Sequence, residues 1–263
     1  MRIRLRFSKV GKVRFTSQRD VARMWERALR RARLPMAYTE GFSPRPQLSF
    51  GLALPTGCES LAEYVDVLLD DTRPETARVE VGALPARLSG MLPEGLDVHA
   101  GEPVERRATS LQQEVTSCSW TMSVRGIGRP ELEERVAALL ASPEVWIARE
   151  RKGRHERDDL RPSVLALAVA GRRAGTASAD GPDDVVDLVA ELSCQPRGVR
   201  PVELVRGLLA VGSPTGDDGP GPVLDRACRT NQWIERDGVR REPVALRDDR
   251  SAARAVPAME RAS

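Results

Sequence analysis

Alternating polar and apolar residues at the start of the chain predict its first strand. Residues 2–7 read Arg-Ile-Arg-Leu-Arg-Phe, so a strand there has one apolar face and one face of arginines. Ser17 then begins a helix, which ends before Pro35 because the residue preceding a proline avoids the helical conformation. Apolar residues recur with helical spacing along one side of this helix, and arginines occupy the other side. The pattern therefore predicts a basic strand followed by a basic, amphipathic helix.

The remaining pattern up to residue 105 predicts further strands and one more helix. Alternating or continuous apolar runs predict strands at residues 36–42, 48–54, 64–69 and 96–104. A helical pattern covers residues 74–89. The resulting order, β-α-β-β-(β)-α-β, is typical of a ferredoxin-like unit with one added strand.

A similar order recurs after residues 106–117, a polar stretch interpreted as a linker. Strands are predicted at residues 120–125, 145–151, 164–170, 185–193 and 224–234, and helices at residues 129–141 and 201–210. The predicted fold class is α+β, with two tandem ferredoxin-like (βαββαβ-type) units at residues 1–105 and 118–244. Composition rich in Gly, Pro, Asp, Ser or Arg predicts loose stretches at residues 171–184 and 212–223 and a disordered tail at residues 245–263.

Positive charge is concentrated near the N-terminus. Residues 1–33 contain ten arginines and two lysines against Asp20 and Glu26, which gives this segment a formal charge of +10. Since the whole chain has a net charge of +3, the other residues together carry −7. This asymmetry predicts binding to a polyanion or to an acidic protein surface.

The sequence lacks the features of several function classes. No apolar stretch is long enough to span a bilayer and no signal peptide is recognisable, so we expect a cytoplasmic protein without a membrane partner. The four cysteines are far apart, form no C-x-x-C pair and are interpreted as free thiols. Neither of the two histidines has a neighbour at metal-ligand spacing, and the sequence contains no phosphate-binding loop or dinucleotide fingerprint. We therefore expect no cofactor and no metal.

A collinear series of motifs runs through roughly residues 2–70. It includes Arg14-Phe15-Thr16-Ser17, Glu26-Arg27-Ala28-Leu29-Arg30-Arg31-Ala32, Gly41-Phe42-Ser43-Pro44 and Leu54-Pro55-Thr56-Gly57. These motifs resemble the radical-SAM-linked family, a domain found beside or fused to cobalamin-binding radical SAM proteins. The resemblance implies a role in RNA metabolism, with a radical SAM enzyme or an RNase E/G-type ribonuclease as a partner. The chain itself lacks the C-x-x-x-C-x-x-C motif that holds the cluster of a radical SAM enzyme.

Two positions depart from the pattern of that family. The resemblance implies a histidine after the serine that begins the first helix and another between the two prolines of the following loop. This chain has Gln18 and Arg45 at those positions. Because Gln18 cannot titrate and Arg45 stays protonated, neither side chain can act as a general base, and no catalytic residue is predicted.

The leading hypothesis is a non-catalytic RNA-binding or adaptor protein in RNA modification or processing. Guanidinium groups bind phosphates through paired donors, and aromatic rings stack on bases. The predicted contact residues are Arg4, Arg6, Arg19, Arg23, Arg27, Arg30, Arg31, Phe42 and Arg45. One alternative is a metal-independent endoribonuclease, similar in architecture to the RAMP-type enzymes, that uses His155 or Tyr38 with Arg45. Another is a protein-interaction module whose basic face binds an acidic partner.

Overall fold

The alternating N-terminal segment forms the predicted strand, β1 (Arg2–Lys9). The structure is a computed structural model and describes residues 1–151, 153–170, 185–211 and 222–246. Its chain divides into two units. The first contains Met1–Thr116 and the segment that returns from Asn231, and the second contains Ser117–Thr230.

The first unit is built on a sheet whose adjacent strands around β1 are antiparallel. Its other elements up to residue 116 are α1 (Gln18–Arg31), β2 (Leu48–Phe50), β3 (Glu59–Leu68), α2 (Leu84–Ser89), β4 (Leu96–Val104) and α3 (Leu111–Glu114). Strand β1 lies between β4 and β3, and β2 pairs with β3. The apolar face of β1 packs against α1, where the ring centroids of Phe7 and Trp25 are 5.0 Å apart. This packing leaves the opposite side of α1 outside the core.

Several elements of the first unit differ from the prediction. Residues 36–42 form only two isolated bridges, Met36 with Leu69 and Tyr38 with Pro46, because the Gly- and Pro-containing stretch that follows turns the chain. The predicted helix at 74–89 consists of two 3₁₀ turns and the short α2, which has a proline in its first turn. The stretch interpreted as a linker buries Leu111 and Val115, so it forms part of the first unit's folded structure.

In its described residues, the second unit contains two α-helices and four strands that pair side by side. Its elements are β5 (Ser117–Arg125), α4 (Arg129–Ala141), β6 (Trp146–Arg151), β7 (Arg154–Asp159), β8 (Val164–Val169), β9 (Val185–Ser193), α5 (Pro201–Ala210) and β10 (Val223–Arg236). The strand order is β10-β5-β9-β8, and β6 pairs with β7 alone. Helices α4 and α5 have the predicted bounds, and each has a proline in its first turn. The hairpin partner β7 was not predicted.

The end of the chain departs from the predicted domain boundary. Residues of β10 up to Thr230 belong to the second unit, whereas those from Asn231 belong to the first, together with β11 (Val239–Arg241). The prediction had placed residues 118–244 in the second unit. Most of the loose stretches and of the predicted disordered tail lie outside the described residues. The mixed α+β class is confirmed, and the assignment of two ferredoxin-like units stays a prediction.

No helix in the described ranges is both long and apolar enough to cross a bilayer.

Candidate nucleic-acid interface

The arginine face of β1 is buried rather than open to solvent. Arg4 and Arg6 are each only 3% exposed. Nε of Arg4 donates to a carboxylate oxygen of Asp66 at 2.8 Å, and a second Arg4 nitrogen donates to Glu114 at 3.2 Å. Arg6 donates to Glu242 at 2.7 Å. Both guanidinium groups are therefore engaged inside the first unit, and the expectation that this strand face is available to phosphates does not hold.

Asp66 is the centre of this buried ion-pair cluster. It lies opposite Arg4 in the register of β1 and β3, and it also accepts hydrogen bonds from Arg2. Burial lowers the pKa of Arg4, but the hydrogen bonds and charges of Asp66 and Glu114 more than offset this, so the pKa lies above its ordinary value. The arginines of β1 thus stabilise the sheet from within.

Helix α1 begins with a side-chain cap that fixes its orientation. The hydroxyl of Ser17 accepts a hydrogen bond from the backbone N–H of Asp20 and donates to the Asp20 carboxylate at 2.7 Å. This hydrogen bond from Ser17 is the main cause that lowers the pKa of Asp20. From the cap onward, Val21, Trp25 and Leu29 are buried in the core. The helix is thereby anchored by one face, as its apolar spacing predicts.

The outer face of α1 presents the arginines that the sequence singled out. Five of the predicted contact residues are exposed on it, Arg19, Arg23, Arg27, Arg30 and Arg31. Only Arg23 has an ion pair among the described residues of this face, a 3.5 Å contact with Asp20 in which both side chains are about half exposed. Such exposed pairs stabilise little and exchange readily for other anions. The remaining four guanidinium groups form no ion pair in the described part of the chain, although the charge of Arg19 contributes to the lowered pKa of Asp20.

An exposed aromatic residue, Phe15, precedes α1 and was not predicted as a contact. It ends a 3₁₀ turn, its side chain is 63% exposed, and the Arg14 guanidinium lies 4.7 Å from its ring centroid. Two hydrogen bonds to buried residues hold this turn in place. Arg14 donates to the buried Glu59 at 3.4 Å. The buried Lys9 donates to the Thr16 carbonyl at 2.9 Å. Burial lowers the pKa of Lys9. The exposed ring could have been recognised from its place between a charged turn and a helix cap.

A closed loop at residues 38–46 presents the other two predicted contacts. Its neck is held by the bridge between Tyr38 and Pro46 and by a backbone hydrogen bond from Thr39 to the Arg45 carbonyl at 2.9 Å. The backbone N–H of Arg45 also donates to the Thr39 hydroxyl at 3.1 Å. Phe42 at the tip is completely exposed, and Arg45 is exposed as well. The loop therefore offers a ring and a guanidinium group to solvent on a hydrogen-bonded neck.

The residues of the endoribonuclease hypothesis lie in different units. Tyr38 and Arg45 belong to the first unit, and His155 is exposed on β7 in the second. Within the described residues, no group of three or more His, Cys, Asp and Glu side chains is arranged to hold a metal ion.

Comparisons with known proteins give a family and a distant structural likeness. No curated protein matches the sequence. A chain in the crystal structure of a Cbf5-Nop10-Gar1 complex is similar with a TM-score of 0.47 and 10% identity, over 88% of this chain and 48% of that chain. This chain thus spans about half the length of that structure. Over residues 2–197 the sequence matches the family described as "Uncharacterized protein conserved in bacteria (DUF2344)", and the chain belongs to that family.

Proposed function

We propose that the protein binds RNA without cleaving it and acts as an adaptor in RNA modification or processing. The observation that carries the proposal is the outer face of α1, with its five exposed arginines of which one has an ion-pair partner among the described residues. A guanidinium group offers two parallel donors to a phosphate, and it stays charged at any physiological pH. Some proteins bind nucleic acid mainly through its sugar-phosphate backbone, and phosphate contacts of this kind supply most of their affinity.

The exposed aromatic rings favour an RNA with unpaired bases. Phe42 stands at the tip of its loop with Arg45 nearby in sequence, and Phe15 precedes α1 with Arg14 against its ring. Unpaired bases stack on aromatic side chains, and each such contact contributes about 1–3 kcal/mol. A stem-loop RNA offers both a phosphate backbone for the arginines and unpaired bases for the rings.

The proposal leaves Arg4 and Arg6 out of the interface. Exposing either guanidinium group to a phosphate would break a buried ion pair, with Asp66 and Glu114 or with Glu242. The cost of leaving such a charge without its partner, about 3–5 kcal/mol, exceeds what one exposed phosphate contact returns.

A binding titration with a stem-loop RNA tests the proposal. The variant Arg23→Gln/Arg27→Gln/Arg30→Gln removes three phosphate-binding groups at about 0.7 kcal/mol each, so we expect affinity to fall about thirtyfold. The matched control changes three other exposed arginines of the same unit, Arg73→Gln/Arg78→Gln/Arg107→Gln, and has the same net charge. Retained affinity in the control with a lower affinity in the first variant supports the α1 face. Equal affinities of all three proteins, or the same fall in affinity in both variants, would reject it.

The protein partner is a separate proposal. The resemblance of residues 2–70 to radical-SAM-linked proteins supports a radical SAM enzyme or an RNase E/G-type ribonuclease as the protein that the adaptor serves. A pull-down of each purified candidate, with and without nuclease, separates direct contact from contact through RNA. A partner retained only without nuclease is held through RNA, and a partner retained in both conditions is bound directly. Absence of both candidates in the nuclease-free sample would remove this proposal and leave RNA binding untouched.

A further inference from the structure

Two cysteine thiols of the second unit lie next to each other. The Sγ atoms of Cys118, on β5, and of Cys194, the residue after β9, are 3.4 Å apart. In the antiparallel register, Cys118 lies opposite Leu192, so Cys194 follows two residues later on the same face of the sheet. Neither cysteine forms a disulfide in the structure. An S–S bond requires the two sulfur atoms to approach by about 1.4 Å.

We propose that Cys118 and Cys194 form an intramolecular disulfide when the protein meets a small-molecule disulfide such as oxidised glutathione. Cys194 is the more accessible thiol, since it is half-buried whereas Cys118 is buried. The Cys194 thiolate attacks one sulfur of oxidised glutathione, the glutathione S–S bond breaks, and one reduced glutathione leaves with a proton from solvent. The Cys118 thiolate then attacks the Cys194 sulfur of the mixed disulfide and releases the second reduced glutathione. Two protein thiols are thereby oxidised and one small disulfide is reduced.

The surroundings of the pair favour the protonated form of the Cys194 thiol. The hydrogen bond with Cys118 raises the pKa of the Cys194 thiol, burial raises it further, and the charge of Arg229 opposes these effects only in part. The thiolate is the attacking species, so its small population limits the rate.

The disulfide would fix the segment that leads from β9 to α5. Cys194 is the first residue of this segment, which continues to Arg200 and is exposed at most of its positions. A bond to β5 would tie its start to a strand that already pairs with β9 over nine residues. We expect slower amide hydrogen exchange in the segment and a higher midpoint of thermal unfolding, because a cross-link restricts the unfolded chain.

Counting the free thiols of a variant without the other two cysteines tests the proposal. The variant Cys58→Ala/Cys228→Ala retains only the pair, and it is incubated with oxidised glutathione, quenched with acid, alkylated and analysed by mass spectrometry. We expect loss of the mass of two hydrogen atoms, no alkylation, and a peptide that links Cys118 to Cys194. Adding Cys118→Ala should instead leave Cys194 alkylated or carrying one glutathione.

Three outcomes would contradict the proposal. Persistent alkylation of both thiols after prolonged incubation, or disulfides only between two chains, would contradict it. Should the double variant fail to fold, peptide mapping of the oxidised wild-type protein decides, since a link from Cys118 or Cys194 to another cysteine would also contradict it. None of these outcomes depends on RNA binding.

Discussion

Replacing Asp66 tests the finding that the arginines of β1 are structural. Asp66 is 3% exposed and accepts hydrogen bonds from two guanidinium groups, those of Arg2 and Arg4. Asp66→Asn removes the negative charge and turns an amide N–H₂ towards one of the arginines. Arg4 keeps Glu114 and Arg2 keeps the carbonyl of Ala108, so neither is deprived of every partner.

The expected cost follows from the burial of the cluster. Removing one partner of a buried ion pair costs about 3–5 kcal/mol, and here two guanidinium groups would stay out of water with only Glu114 left to balance their charge. Natural domains are stable by only about 5–15 kcal/mol, so this is a large share of the free energy of unfolding. At an m-value of about 2 kcal/mol/M, the urea midpoint should fall by about 2 M.

The assay is urea unfolding followed by far-UV circular dichroism, with Asp97→Asn as the control. Asp97 lies on β4 in the same unit and is exposed, so the same chemical change there should alter stability by less than about 0.5 kcal/mol. A destabilisation below about 1 kcal/mol for Asp66→Asn would refute the reasoning. It would mean that the guanidinium groups of Arg2 and Arg4 reach solvent, which would make Arg4 a candidate for RNA binding again.

Two further predictions concern a glycine and the cap of α1. Gly95 has φ +89° and an added Cβ would overlap the Val10 carbonyl oxygen, so Gly95→Ala should destabilise by about 3 kcal/mol. Gly82→Ala, which meets no atom within 4 Å, should be nearly neutral in the same thermal unfolding assay. The hydrogen bond from Ser17 lowers the pKa of Asp20 below its ordinary 3.8, so its stabilisation of α1 is present above pH 3.8 and is lost as pH falls through the folded-state pKa. Asp20→Asn should therefore be less stable than wild type at pH 7, and the two proteins should be equally stable in acid, below the folded-state pKa of Asp20. The same stability difference at pH 7 and in acid would contradict this role of the Asp20 carboxylate.

Local periodicity was sufficient to predict α1 and its two faces. The helical spacing of Val21, Trp25 and Leu29 placed these residues in the core, and the arginines between them are exposed as expected. Helices α4 and α5 were also predicted with their observed bounds, each with a proline in its first turn. Helix faces depend on neighbours three and four residues apart, so the information needed is contained in a short segment.

The burial of the β1 arginines and their pairing with carboxylates could not be predicted from the local sequence. Their carboxylate partners are Asp66, Glu114 and Glu242, which stand 62, 110 and 236 residues away along the chain from the arginines that bind them. Asp66 gave a local signal, as the single acid within the apolar strand predicted at residues 64–69. Alternation predicts that a strand has two different faces, but it does not state whether the polar face meets water or a buried carboxylate.

In the hairpin of β6 and β7, the strand β6 was predicted and β7 was not, because β7 has no local apolar pattern. Its strands are mostly charged, and its register runs from Trp146 opposite Asp159 to Arg151 opposite Arg154. Period-two apolar positions, the signal that reveals a half-buried strand, are absent from β7. Backbone pairing there depends on a turn at Gly153, where φ is +73°.

The salt dependence of RNA binding tests most directly whether the α1 face, and not β1, binds phosphates. The slope of log affinity against log salt concentration falls by about 0.7–0.9 for each phosphate that the protein no longer neutralises. We expect Arg23→Gln/Arg27→Gln/Arg30→Gln to flatten the slope by about 2–3 relative to wild type, and Arg73→Gln/Arg78→Gln/Arg107→Gln to leave it unchanged. Identical slopes for wild type and the α1 variant, or a wild-type slope near zero, would contradict it.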